Sequence, residues 1–120
     1  MLFSLVWEAA DLYIKMDEEF FRLLSLLPVE QGYLPTALNY YESHDAASLA
    51  RKLSSIQGFK GITSPMKQTA GGWVADYSSR YFTEDFPFGL KYIWQLAHEK
   101  GVSCPYIDRV YAWGMSKLGA

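Results

Sequence analysis

From Phe3 to Leu27 apolar side chains recur at Phe3, Val6, Trp7, Ala10, Tyr13, Ile14, Phe20 or Phe21, Leu24 and Leu27. This spacing of three to four predicts one long amphipathic helix, stopped by Pro28. Residues 29–44 mix Gly32, Pro35 and Asn39 with three tyrosines, which predicts only a short helical turn around Thr36–Tyr41. Asp45 is placed to cap a second helix whose apolar positions Leu49, Ala50, Leu53 and Ile56 share a face, with Gln57-Gly58 as a left-handed terminator. Between 58 and 82 the breakers Gly58, Gly61, Pro65, Gly71 and Gly72 and the weak periodicity predict a long loop, a kind of segment that tends to carry function. A third helix is expected from Thr83, with Thr83 or Asp85 as N-cap and Pro87 tolerated in the first turn. Phe86, Leu90, Ile93, Trp94 and Ala97 form its stripe, and Gly101 ends it. Ser103-Cys104-Pro105 opens a last helix to about Leu118, packed through Ile107, Val110, Gly114 and Leu118. No alternating strand pattern of useful length and no internal repeat appear, so the expected fold class is all-α, a single domain of four to five helices.

The length of 120 residues allows one core and leaves no room for a complete two-domain enzyme. Half the residues are hydrophobic, as a packed domain requires, but nine Tyr, seven Phe and four Trp exceed what a small core encloses. Some rings are therefore expected to face a ligand, a partner or another domain. A net charge of −2 without a basic run argues against a nucleic-acid partner. The apolar start meets Glu8 and Asp11 too early for a signal peptide or a membrane span, so no membrane association is expected. One cysteine, Cys104, excludes an internal disulfide, and with only His44 and His98 beside it no Cys/His set at zinc spacing is seen. The expectation is a cytoplasmic chain without a structural metal.

The chemistry is thinly spread. Gly58-Phe59-Lys60-Gly61 has the spacing of a nucleic-acid clamp but lacks its βααβ setting and basic surface, and there is no GxGxxG or GxxxxGK[ST] phosphate loop. His44 beside Asp45 reads as an exposed bystander next to a cap, His98 as a surface residue at a helix C-terminus, and Cys104 as packing. The sharpest segment is Ser78–Leu90, where Arg80 meets Glu84 and Asp85. The guanidinium fork of Arg80 can hold a substrate carboxylate while Asp85 orients a histidine from elsewhere; equally, Arg80 can pair with Glu84 or Asp85 while the acids cap a helix.

Arg80-Tyr81-Phe82-Thr83-Glu84-Asp85-Phe86-Pro87-Phe88-Gly89-Leu90 closely resembles the R-Y-x-T-E-D-[IVF]-P-[YF]-G-L signature in the C-terminal domain of the octopine/nopaline (opine) dehydrogenase family. Ile62-Thr63-Ser64-Pro65 resembles that family's G-I-x-[AS]-P, Gly101–Asp108 its G-V-x-x-P-x-I-D, and Met16-Asp17-Glu18-Glu19 its D-x-E-R region, with Phe20 in place of the basic residue. The resemblance implies a helical substrate and catalytic domain spanning 1–120, similar to the 6-phosphogluconate dehydrogenase C-terminal fold, which faces a Rossmann domain across a substrate cleft. It implies an NAD- or NADP-dependent oxidoreductase that joins an amino acid to a 2-oxo acid and reduces the imine, or runs the reverse. By the same resemblance Arg80 binds the oxo-acid carboxylate, Asp85 is the acidic partner of a catalytic histidine, and Thr83 and Glu84 are assigned to capping. The family's His-Pro segment and dinucleotide fingerprint are absent from these 120 residues. No cofactor is therefore expected to bind this chain alone, which is expected to be inactive without a Rossmann domain in cis or in trans. A non-enzymatic helical module that dimerises or docks through its aromatic surface is the alternative.

Overall fold

The computed structural model describes residues 2–59 and 65–119, with side chains from Trp7 onward in the first helix. The element order is α1 Leu2–Leu24, α2 Ala37–Tyr40, α3 Ala46–Ser55, strands β1 Met66–Thr69 and β2 Gly72–Ala75, α4 Arg80–Thr83, a π-helical turn Asp85–Leu90, α5 Lys91–Glu99 and α6 Pro105–Leu118. The all-α expectation holds apart from one small hairpin. Of the α1 stripe, the side chains of Phe3 and Val6 and, further on, residues 60–64 lie outside the described residues.

Helix α1 is the spine. Ala10 and Ile14 pack with Ala46, Leu49 and Ala50 of α3, whereas Leu23 packs with Ala97, Cys104 and Ile107 of the α5–α6 end. Its buried line therefore runs through Ala10, Ile14, Glu19 and Leu23, and the expected stripe members Trp7 and Tyr13 stay exposed. The helix ends at Leu24, three residues short of the expected Leu27. Leu26 and Leu27 bond the carbonyls of Leu23 and Leu24, a tightening before Pro28, which disfavours helical backbone in the residue ahead of it.

Asp45 caps α3 as expected: its carboxylate accepts from Ser48 N at 2.8 Å, and Ser48 Oγ accepts from Asp45 N at 3.0 Å. Gly58 is no left-handed terminator. Helix α3 ends because Ile56 is extended (φ −71°, ψ 116°), and a 3₁₀ turn at Gln57–Phe59 follows. The long loop expected over 58–82 is partly a hairpin, Met66 opposite Ala75 and Thr69 opposite Gly72, with Gly72 at φ +120° where a side chain would be strained. Its four-residue strands are nearly all exposed, so no in–out alternation marked them.

The molecule is drawn out, 49 × 35 × 22 Å, with a radius of gyration of 16.0 Å. A compact chain of this length has about 13.6 Å. A groove of about 410 Å³ remains along α1, between Leu12, Met16 and Phe20 on one side and Leu90, Ile93 and Val110 on the other.

Candidate functional site

The signature segment is held from below by aromatic packing. Phe82 and Phe86 stack at 5.5 Å and both meet Trp113 of α6, at 5.9 and 6.1 Å, while Tyr77 stands edge-on to Phe82 at 4.8 Å. Gly114 lies under the Phe86 ring so closely that a Cβ there would be 2.0 Å from Phe86 Cδ1. Asp76 leads into the segment with a tight turn, its carboxylate accepting from the Ser78 hydroxyl and from Ser78 N, contacts that lower its pKa.

The helix begins earlier than expected, at Arg80, so neither Thr83 nor Asp85 is its N-cap. Ser79 occupies that position in extended conformation without a side-chain cap bond, and Thr83 is the last residue of α4. Pro87 is then well inside the helical run, where it removes the N–H that would meet Thr83 O and its ring crowds the preceding turn. The backbone widens to accommodate it. Glu84 O accepts from both Phe88 N (3.1 Å) and Gly89 N (3.4 Å), and Lys91 N bonds Phe86 O, five residues back.

One helical turn separates Arg80 from Glu84, and the two are joined side-on: Nε donates to Oε1 at 2.8 Å and an Nη to Oε2 at 3.2 Å. Glu84 is thus the partner of Arg80 and not a cap. The Arg80 side chain is 84% exposed and that of Glu84 51%, so water screens the pair and it is worth under about 1 kcal/mol. Asp85 is exposed at the head of the π-helical turn and has no side-chain hydrogen bond or ion pair among the described residues. Tyr81 and Phe88, on the same segment, are also largely exposed.

A second cluster lies where α5 ends and α6 begins. Trp94 Nε1 donates to Asp108 Oδ1 at 2.8 Å, His98 Nε2 is 2.7 Å from the same oxygen, and Cys104 Sγ is 3.7 Å from it. His98 is exposed in the last turn of α5, as expected, and is in addition tied to α6 through Asp108. His98, Cys104 and Asp108 also bring their ligating atoms within 4.8 Å of one another, a donor set that sequence spacing did not reveal. Burial first, and then the Asp108 charge, push the Cys104 thiol up to about 11, which keeps it protonated near neutrality. The His98 contact, ahead of the Trp94 one, holds Asp108 below the ordinary carboxylate value. His44 is exposed, 3.6 Å from Asp45.

Two of the acids of Met16–Glu19 perform structural work. Asp17 Oδ2 accepts from Ala37 N at 2.9 Å, and Glu19, 1% exposed, accepts from Tyr106 N at 3.0 Å and Ile107 N at 2.8 Å. Asp17 and Glu19 of α1 thus each cap a helix that starts further along the chain.

The model of the family described as NAD/NADP octopine/nopaline dehydrogenase, alpha-helical domain, matches residues 5–118. Tauropine dehydrogenase of Arabella iricolor is 40% identical over 76 residues, 62% of this chain and 19% of the relative. Octopine dehydrogenase of Pecten maximus is 32% identical over 84 residues, 68% of this chain and 21% of the relative. The chain spans about a fifth of the length of these relatives. The solved structure of octopine dehydrogenase with NADH and pyruvate covers 92% of this chain and 28% of its own, with a TM-score of 0.74 at 24% identity, which shows a shared fold. The structure with NADH and L-arginine has a TM-score of 0.71 and covers 92% of this chain and 30% of its own.

Proposed function

This chain belongs to the octopine/nopaline dehydrogenase family as its alpha-helical domain, and we propose that it forms the substrate side of an enzyme that condenses an amino acid with a 2-oxo acid reductively. The observation that carries the reading is Arg80, exposed with its fork already engaged by a carboxylate. An incoming 2-oxo acid offers the same planar pair of oxygens, and a guanidinium recognises it bidentately. Asp85 is exposed and unengaged among the described residues, so it is free to accept from an imidazole supplied outside these 120 residues. There it would fix the ring tautomer and support its positive charge while the histidine moves a proton to or from the substrate.

NAD or NADP does not fit this chain by itself. The described strands form an exposed antiparallel hairpin, and no glycine-rich turn leads from a parallel strand into a helix N-terminus among the described residues. In this reading the cofactor is held by a Rossmann domain across a cleft from this one, in cis or in trans. The exposed aromatics and the groove along α1 also suit the second reading, a module that docks or dimerises without chemistry of its own.

The test is kinetic, in an enzyme that joins this domain to a Rossmann domain. Arg80→Lys loses one arm of the fork, worth about 1.5–3 kcal/mol, and should raise the apparent KM for the 2-oxo acid about ten-fold or more. Asp85→Asn should instead lower kcat with little change in KM. An unchanged oxo-acid KM in Arg80→Lys would remove Arg80 from the binding role, and a fully active enzyme carrying both substitutions would leave the docking reading.

A further inference from the structure

We propose that Glu84 is a resident competitor for the carboxylate site on Arg80, an internal occupant that an arriving 2-oxo acid must displace and that thereby sets the affinity for it. The inference rests on the reading of Arg80 as the carboxylate binder. It is carried by the form of the contact: Oε1 sits on Nε at 2.8 Å and Oε2 on an Nη at 3.2 Å, so both carboxylate oxygens face the edge of the guanidinium that a substrate would use. The pair has little helix to steady. This helix has four residues, and its next turn is widened by Pro87.

The pair is also weak enough to exchange. Both side chains are more than half exposed, and an exposed pair of this kind is closed only about two to five times as often as it is open. A competing carboxylate then sees Arg80 free in a minority of molecules, and its apparent affinity falls about three- to six-fold. When it binds, Glu84 is released into water, where the charge is readily solvated. The displaced carboxylate carries its charge away from the site, so one anion replaces another on Arg80. Glu84 in this view is a specificity-determining residue: carboxylates too weakly held to displace it are excluded, and ligands with further contacts to the protein are not.

The experiment is a pyruvate titration of the 120-residue chain at constant ionic strength, read on the Arg80 Nε–H resonance by ¹H–¹⁵N NMR and assigned with Arg80→Lys. Glu84→Gln should tighten pyruvate binding about three- to six-fold, and Glu84→Asp, too short to reach both nitrogens, should do the same. Equal pyruvate affinity in all three chains would overturn the role of Glu84 while leaving Arg80 as the carboxylate binder. If the Arg80 resonance fails to respond to pyruvate in every chain, the Arg80 reading falls and this inference falls with it.

Discussion

Replacing Glu19 by Ala should be among the most damaging single substitutions in this chain, and the cost follows from an account of the α6 N-terminus. The first helical residue, Pro105, has no N–H to satisfy, and Asp108 N bonds Cys104 O at 2.8 Å in the first intrahelical bond. The two remaining donors, Tyr106 N and Ile107 N, would ordinarily turn to the N-cap side chain, but Cys104 makes no such bond. Glu19 takes both, from a site 1% exposed and next to the positive end of the helix dipole. Alanine leaves one buried amide, that of Ile107, and one part-buried amide, that of Tyr106, without their partner and removes a charge-assisted interaction. Each such bond is worth about 1.5–3 kcal/mol, with partial relief from water entering the space, so the net loss is about 2–4 kcal/mol. For a domain of this size that lowers Tm by about 10 °C. Urea unfolding followed by circular dichroism at 222 nm measures it, with Glu19→Gln, which keeps one acceptor, expected between the two. A loss under about 0.5 kcal/mol in Glu19→Ala would show that the α6 amides are satisfied without this carboxylate.

Gly114→Ala must push the Phe86 ring aside and should cost about 1–3 kcal/mol by thermal unfolding, whereas the exposed Gly58→Ala, with nothing within 4 Å, should fall within about 0.5 kcal/mol of the parent chain. Native Cys104, buried and with its pKa pushed up to about 11, should resist iodoacetamide at pH 8 on a timescale that fully modifies the urea-unfolded chain; equal rates would contradict its placement. Asp108 has a folded-state pKa below its ordinary 3.8, so its contribution is complete above that value and is lost as pH falls through the folded one. At 44% side-chain exposure this is worth under about 1 kcal/mol, visible as a shallower decline in stability below pH 4 in Asp108→Asn than in the parent chain.

Most of the helical skeleton was legible because it depends on local rules. Apolar periodicity located α1, α3, α5 and α6, Asp45 and Pro105 marked two helix starts, and Gly101, at φ +71°, marked an end. What escaped depends on residues far apart. Glu19 lies on the buried line of α1 as if it were an apolar residue, and only Tyr106 and Ile107, 87 and 88 positions away, explain it. A clue was present in Cys104-Pro105, a helix start with proline at its first position and no strong capping side chain. The cluster of Asp108, His98, Trp94 and Cys104 was hidden for the same reason, since its members come from two helices and the turn between them. The hairpin was missed because a strand pattern becomes visible only when one face is buried, and here Met66–Thr69 is exposed throughout.

Pro87 shows how a residue read correctly can be placed in the wrong frame. Its compatibility with the first turn of a helix is sound, and that argument moved the expected helix start to Thr83. The chain instead enters the helix at Arg80, and the run sets Phe82 and Phe86 one turn apart, stacked on each other and both against Trp113. Proline inside that run then forces the widened turn. The consequence reaches the candidate chemistry. Arg80 and Glu84 fall on the regular side of the junction, four residues apart and therefore in register to pair, whereas Asp85 opens the wide turn and makes no such pair among the described residues. Capping would have used both acids in the same way. The helix that actually forms separates them, with Glu84 set against the arginine fork and Asp85 left with its carboxylate exposed.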